Sequence, residues 1–197
     1  MVDTVRTETD LKTNLFQDGQ GAGSIDPQDM RDLIVSAKYL HDTGWNFVLD
    51  STYTTGSRQT ITAGTRTKIR IDGVTEDIGH PTADVFWNTT TNKLVPSAIN
   101  DFGLVRFAVR GSSPVAATNR FEFELDIGGS YPIIFEETGV FAKGAGNDQA
   151  FNFIIPLFAG PDFLANGGEF YITPESDAEF WEYGVTSVKV YSAQILG

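Results

Sequence analysis

The chain has 197 residues, enough for one domain with appendages. Its composition, 41% apolar and 20% charged, is that of a globular protein, and a formal net charge of -12 argues against nonspecific wrapping of nucleic acid, which needs Lys and Arg against phosphate. Cysteine is absent, which excludes disulfides, thiol nucleophiles and thiolate metal sites. No apolar run approaches the ~20 residues of a membrane span, and the N-terminus has no apolar signal core. The expectation is therefore no membrane insertion and no export by that route.

Residues 1–24 are mostly polar and end in "DGQGAGS", the composition of an extended arm or linker. Leu11, Leu15 and Phe16 are its apolar exceptions and the candidates for docking the arm elsewhere. Residues 25–40 read as one short amphipathic helix. Asp26 can cap it, Pro27 suits its first position, and Asp29 stands where a capping-box carboxylate belongs. Ile25 and Met30 have staple spacing, and Met30, Leu33, Ile34 and Ala37 continue a single apolar stripe. A helix of this length is marginal alone in water, so the stripe must pack on its own domain or on another subunit.

From residue 41 to the end the chain reads as one β domain. "WNFVLD", "RQTITAG" and "KIRIDG" are short strand candidates. Val105, Phe107 and Val109 share a face, as do Phe121, Phe123, Leu125 and Ile127, and later Phe151, Phe153, Ile155 and Leu157. "GGEFYITP" and "VTSVKVYSAQI" complete the set. "GGSYP", "KGAGND" and "ANGGE" read as reversals, and no second amphipathic helix is expected. Pro156 interrupts the strongest apolar strand, which places that strand at an edge or a bulge. Short strands at this spacing imply a sandwich or small barrel.

Motifs of catalysis lack their context. "DFG" at Asp101–Gly103 has no phosphate loop or catalytic loop around it, so Phe102 reads as core or turn. His41 and His80 fall in no metal-ligand spacing, and His41 suits the end of the helix. Glu136 and Glu137 are adjacent in a strand and point to opposite faces. Glu169, Glu175, Asp177, Glu179 and Glu182 read as a solvated face. Clustered acids in "DIGG" and "ESDAE" have no EF-hand spacing. No catalytic residue, cofactor site or metal site is assigned, and the chain is read as a non-enzyme. The aromatic doublets in "VFWN" and "EFWEYG" cannot put both members on one face of one strand. Trp87, Trp181 and Tyr183 are thus candidate surface or interface aromatics, with core or intersubunit packing the primary reading and a glycan platform the other.

The stretch "NLFQDGQGAGSIDPQDMRDLIVSAK", through Phe16, Asp18, Ile25, Asp29, Met30, Arg31, Asp32, Leu33, Ile34, Val35 and Ser36, resembles the N-terminal segment of tailed-bacteriophage fibre and head-decoration proteins. "TTTNKLVP" and the closing "EFWEYGVTSVKVYSAQILG" are similar in texture to the compact jelly-roll heads of such fibres, of the tumour-necrosis-factor and C1q type. The resemblance implies a mainly β, jelly-roll β-sandwich head. It implies a homotrimer on the virion surface, made in the host cytoplasm and held by its arm and helix to capsid or tail proteins. A fibre tip of this kind would meet a host-surface glycan or protein. Two other classes stay open: a carbohydrate-binding module, and a polysaccharide hydrolase with two carboxylates about 5–9.5 Å apart in a cleft.

Overall fold

The computed structural model describes residues 28–31, 45–73, 75–78, 87–99, 101–114, 119–130, 132–142 and 145–191. Residues 28–31 form a helical turn, with Arg31 donating to Gln28 Oε1 at 2.7 Å. The remainder of the arm and of the expected helix lies outside the described residues.

Among the described residues twelve strands follow: β1 (Trp45–Leu49), β2 (Gln59–Ile61), β3 (Thr67–Lys68), β4 (Thr75–Ile78), β5 (Trp87–Asn88), β6 (Lys93–Leu94), β7 (Phe102–Ser112), β8 (Asn119–Asp126), β9 (Ile133–Phe141), β10 (Gln149–Phe158), β11 (Glu169–Pro174) and β12 (Ala178–Tyr191). One sheet has the order β10-β7-β12-β1-β4, with β2 also paired to β12; the other runs β3-β11-β8-β9. All these pairings are antiparallel. The chain passes from β7 to the second sheet for β8 and β9, returns for β10, crosses again for β11 and returns for β12. This double crossing is a jelly-roll-type β-sandwich.

The period-two pattern sets the core. Val105, Phe107 and Val109 of β7 and Phe153, Ile155 and Leu157 of β10 are buried, facing Phe121, Phe123 and Leu125 of β8 and Phe170 and Ile172 of β11. Aromatic rings join the sheets. Phe123 stacks on Phe153 at 4.3 Å and on Phe107 at 4.5 Å between centroids, and Phe107 meets Phe170 at 4.9 Å. Such pairs contribute about 0.5–1.5 kcal/mol each beyond their buried area. β5 and β6 form a small hairpin whose Trp87 lies on Phe170 at 5.6 Å and donates its indole N–H to Ile71 O at 2.9 Å.

Pro156 lies in β10, the edge strand of its sheet, as its missing N–H required. The reversals after Asp126 and before Gln149 use Gly128, Gly129 and Gly146 at positive φ. A second helix is a departure from the sequence reading. Pro161–Asn166 forms a six-residue helix with Pro161 in its first turn and Asp162 beside its N-terminus. It ends at Gly167, whose N–H donates to Phe163 O at 2.8 Å. Only Phe163 is buried, so six residues with one anchor leave no periodic stripe to read.

Candidate interaction surface

The outer side of β3-β11-β8 and that of β10-β7-β12-β1 differ in chemistry. On the outside of β3-β11-β8 the side chains are ion-paired. Arg66 reaches Glu124 at 2.6 Å and Asp126 at 2.7 Å, and its guanidinium lies 3.6 Å from the Tyr171 ring centre. Lys68 and Lys93 approach Glu169 at 2.8 and 3.0 Å, and the Tyr171 hydroxyl donates to the same carboxylate at 2.5 Å. Burial opposes ionisation of Glu169, but the hydrogen bonds from Lys68, Tyr171 and Lys93 prevail and hold its carboxyl at about 2. Burial, then the same Glu169 contact, pushes the Tyr171 hydroxyl up to about 12. These contacts pair Arg66, Lys68 and Lys93 with Glu124, Asp126 and Glu169 inside the chain.

The outside of β10-β7-β12-β1 is different. Ile154 is 66% exposed, Phe158 58%, Leu49 44% and Leu104 41%. The register aligns Pro156, Leu104 and Val188 across three strands and Phe158 with Phe102 across two. These residues stand outward because Val105, Phe107, Ile155 and Leu157, one position away, point in. Polar groups share the face: Arg106, opposite Ile154, donates to Asn152 Oδ1 at 2.5 and 3.0 Å, and Arg110 pairs with Glu182 at 2.8 Å.

The apolar end continues around the β10 edge into a groove of about 470 Å³. Ile127, Ile134, Pro156, Phe158 and Phe163 line it, with Asp162 at its rim. Ile133 and Ile134, at the start of the other edge strand, β9, are 42% and 43% exposed. Exposed apolar side chains grouped beside a groove make this face the candidate interaction surface.

The sequence-level candidates fall elsewhere. Trp87, Trp181 and Tyr183 are 2%, 0% and 0% exposed, so of the readings left open for them the described chain shows packing inside it and no surface aromatic. Tyr183 points into the core, donating to Gln59 Oε1 at 2.6 Å, and burial raises its hydroxyl far above the usual phenol range. Trp181 lies outside the core cluster, roofed by Arg58 at 3.9 Å. A bulge between Trp181 and Gly184, with Glu182 at φ 52°, shifts the alternation there so that Phe180 and Tyr183 both point inward. The doublet rule therefore held for Phe180 and Trp181, while the bulge left no signal in the sequence. Met30 is 45% exposed. Ile25, Leu33, Ile34, Ala37, Leu11, Leu15 and Phe16 lie outside the described residues.

The motif candidates are structural where they are described. Asp101 accepts from the N–H groups of Ser97 and Ala98 at 2.8 Å each, closing the turn before β7. Asp177 accepts from Ala63 N–H at 2.8 Å, and Glu179 pairs with Arg58 at 3.4 Å. Asp126 of "DIGG" accepts from Gly128 N–H at 2.8 Å besides its pairing with Arg66. Among the described residues no group of three or more His, Asp or Glu is arranged to hold a metal, and no helix is long and apolar enough to cross a membrane. The exposed face, which no sequence candidate named, was foreshadowed by Ile154, Pro156 and Phe158 of "FNFIIPLF" and Phe102 and Leu104 of "DFGLVRF", apolar residues on the side opposite the core-facing ones.

No protein-family profile and no curated protein sequence matches this chain. Among solved structures it is similar to the globular domain of zebrafish complement 1qA protein, at 10% identity and a TM-score of 0.45 over 76% of this chain and 98% of that one. It is similar to the Eiger TNF of S. frugiperda, at 10% identity and a TM-score of 0.43 over 77% and 94%. It is also similar to the PRD1 vertex protein P5, at 15% identity and a TM-score of 0.40 over 76% and 73%. The assignment to the jelly-roll class rests on the strand order itself.

Proposed function

We propose that this chain is a structural protein of a virus-particle surface. Its jelly-roll head self-associates as a homotrimer, and the arm and helix before β1 attach it to capsid or tail proteins. The observation that carries this reading is the contrast between the two outer faces: one internally ion-paired, the other presenting Leu104, Ile154, Pro156 and Phe158 to solvent in a single chain. Burying such a face at roughly 25 cal/mol per Å² favours association without any specific charge partner. The number three and the attachment to a bacteriophage particle follow from the resemblance of residues 14–38 and of the head to phage fibre and decoration proteins.

The role within the particle is that of a capsid decoration protein, a head fibre or a short tail fibre, and no catalytic step is assigned to it. Receptor recognition, of a glycan or a protein, would fall to loops at the free end of the trimer. Trp87, Trp181 and Tyr183 are excluded as its aromatic platform by their burial. Cryo-electron microscopy of the virion tests the reading. Threefold density matching this sandwich on capsid or tail supports it, and a particle lacking the protein overturns it.

A further inference from the structure

At the end of β7 far from Leu104, about 27 Å along the strand, the register sets three polar side chains in a row. Glu179 of β12 stands between Ser112 of β7 and Thr60 of β2. Glu179 and Thr60 face outward, because Phe180 and Ile61, one position on, are buried in the core. The Ser112 hydroxyl, 3.4 Å from Glu179 Oε2, lies on the same side. The row borders a pocket of about 310 Å³ that Arg58, Asp177, Pro114 and Gly146 also line. That volume is near the lower end of the roughly 300–1,000 Å³ of small-molecule sites.

Arg58 is held in place as it lines the pocket. Its guanidinium reaches both carboxylate oxygens of Asp148, at 3.2 and 3.3 Å, and lies 3.9 Å from the Trp181 ring centre. Its Nη2 makes one hydrogen bond among the described residues, which leaves a second N–H to give. The acceptors are also only partly used. Glu179 Oε2 receives Arg58 at 3.4 Å, and Asp177 Oδ1 receives Ala63 N–H at 2.8 Å. Glu179 Oε1, Asp177 Oδ2 and the Thr60 hydroxyl make no hydrogen bond among the described residues.

An anion here would meet the carboxylates of Asp148, Asp177 and Glu179, and an ammonium group would meet the Arg58 guanidinium. A sugar hydroxyl carries no charge and both donates and accepts, so it matches the two kinds of group at once. We propose that this pocket binds a neutral saccharide unit, whose hydroxyls donate to Glu179 and Asp177 and accept from Arg58. The site gives a place to the receptor recognition proposed above and rests on that reading for its biological use alone. Binding is a property of the isolated protein, so its failure leaves the virion assignment standing.

The test is a proton–nitrogen NMR titration of the full chain with glucose, galactose, mannose, rhamnose and N-acetylglucosamine, each to about 50 mM. At least one sugar is expected to move the amides of Ser112, Gly146 and Glu179 saturably, with half-effect at about 1–10 mM. The buried indole N–H of Trp181, which has no hydrogen-bond partner among the described residues, should report the contact through Arg58 above it. Thr60 is exposed, so Thr60→Trp fills the pocket without entering the core and is expected to abolish the shifts. Glu179→Gln, which keeps the shape and removes the charge, is expected to weaken binding at least about fivefold. An unchanged response in either variant overturns the site, as do shifts confined to other residues or no saturable shift with any sugar. Saturation by ethanolamine at a lower concentration than by every sugar also overturns it, by assigning the pocket to amines.

Discussion

Gly139 shows how closely single atoms are specified in this core. It stands opposite Phe121 across β8 and β9, and a Cβ there would overlap the Phe121 ring. Phe121 in turn meets Phe151 edge-on at 4.8 Å and Phe180 at 5.1 Å, so its ring cannot move aside without disturbing both. Gly139→Ala is expected to destabilise the fold by about 1–3 kcal/mol, as overpacking does, measured by the urea midpoint. Phe123, fully buried and stacked on three other phenylalanines, should cost about 3–5 kcal/mol on truncation to alanine. The inward alternation of these phenylalanines was legible in the sequence. Their ring-to-ring order was not, because which residues meet across two sheets depends on strand order rather than on local pattern. For the same reason Arg58, which covers Trp181 and pairs with Asp148 at 3.2 Å and Glu179 at 3.4 Å, carried no sign of its role.

Among the elements, the long strands β7, β8, β10 and β12 were readable from period two, and the position of β10 at an edge was readable from Pro156. The two-residue strands β5 and β6 and the helix Pro161–Asn166 were not, since each is shorter than the window in which a period can repeat, and of the expected strand "KIRIDG" only Lys68 lies in a strand, β3. The acidic residues near the C-terminus were read as a solvated face, yet Glu169 ties β11 to β3 and β6 through Lys68 and Lys93. Its folded-state value lies below its ordinary 4.5, at about 2. The stability it contributes is thus present above about 4.5 and lost as pH falls toward 2. Glu169→Gln is expected to lower stability by about 1 kcal/mol near neutral pH, the partial exposure of the pair keeping the effect modest. The variant should also lose less stability than the wild type on acidification. Denaturant melts at several pH values check this, and identical acid limbs would remove Glu169 from the account.

At the scale of the whole molecule, the unequal faces of the sandwich organise the account. The face of β3-β11-β8 carries ion pairs within the chain, whereas the face carrying Leu104, Ile154 and Phe158, with the groove beside β10, exposes the apolar side chains that the proposed self-association would cover. Part of this was visible in advance in the apolar alternation of the long strands, but only the register shows which apolar residues are left outside. Lysine substitutions at Leu104 and Phe158 should be tolerated by the fold, because both side chains already meet solvent in the single chain. The most direct measurement is the solution mass of the full chain at micromolar concentration by sedimentation equilibrium, wild type against the Leu104→Lys, Phe158→Lys double variant. The account expects a trimer for the wild type and a monomer with an unchanged sheet circular dichroism signal for the variant. A wild-type monomer, or a variant that stays trimeric, would contradict it.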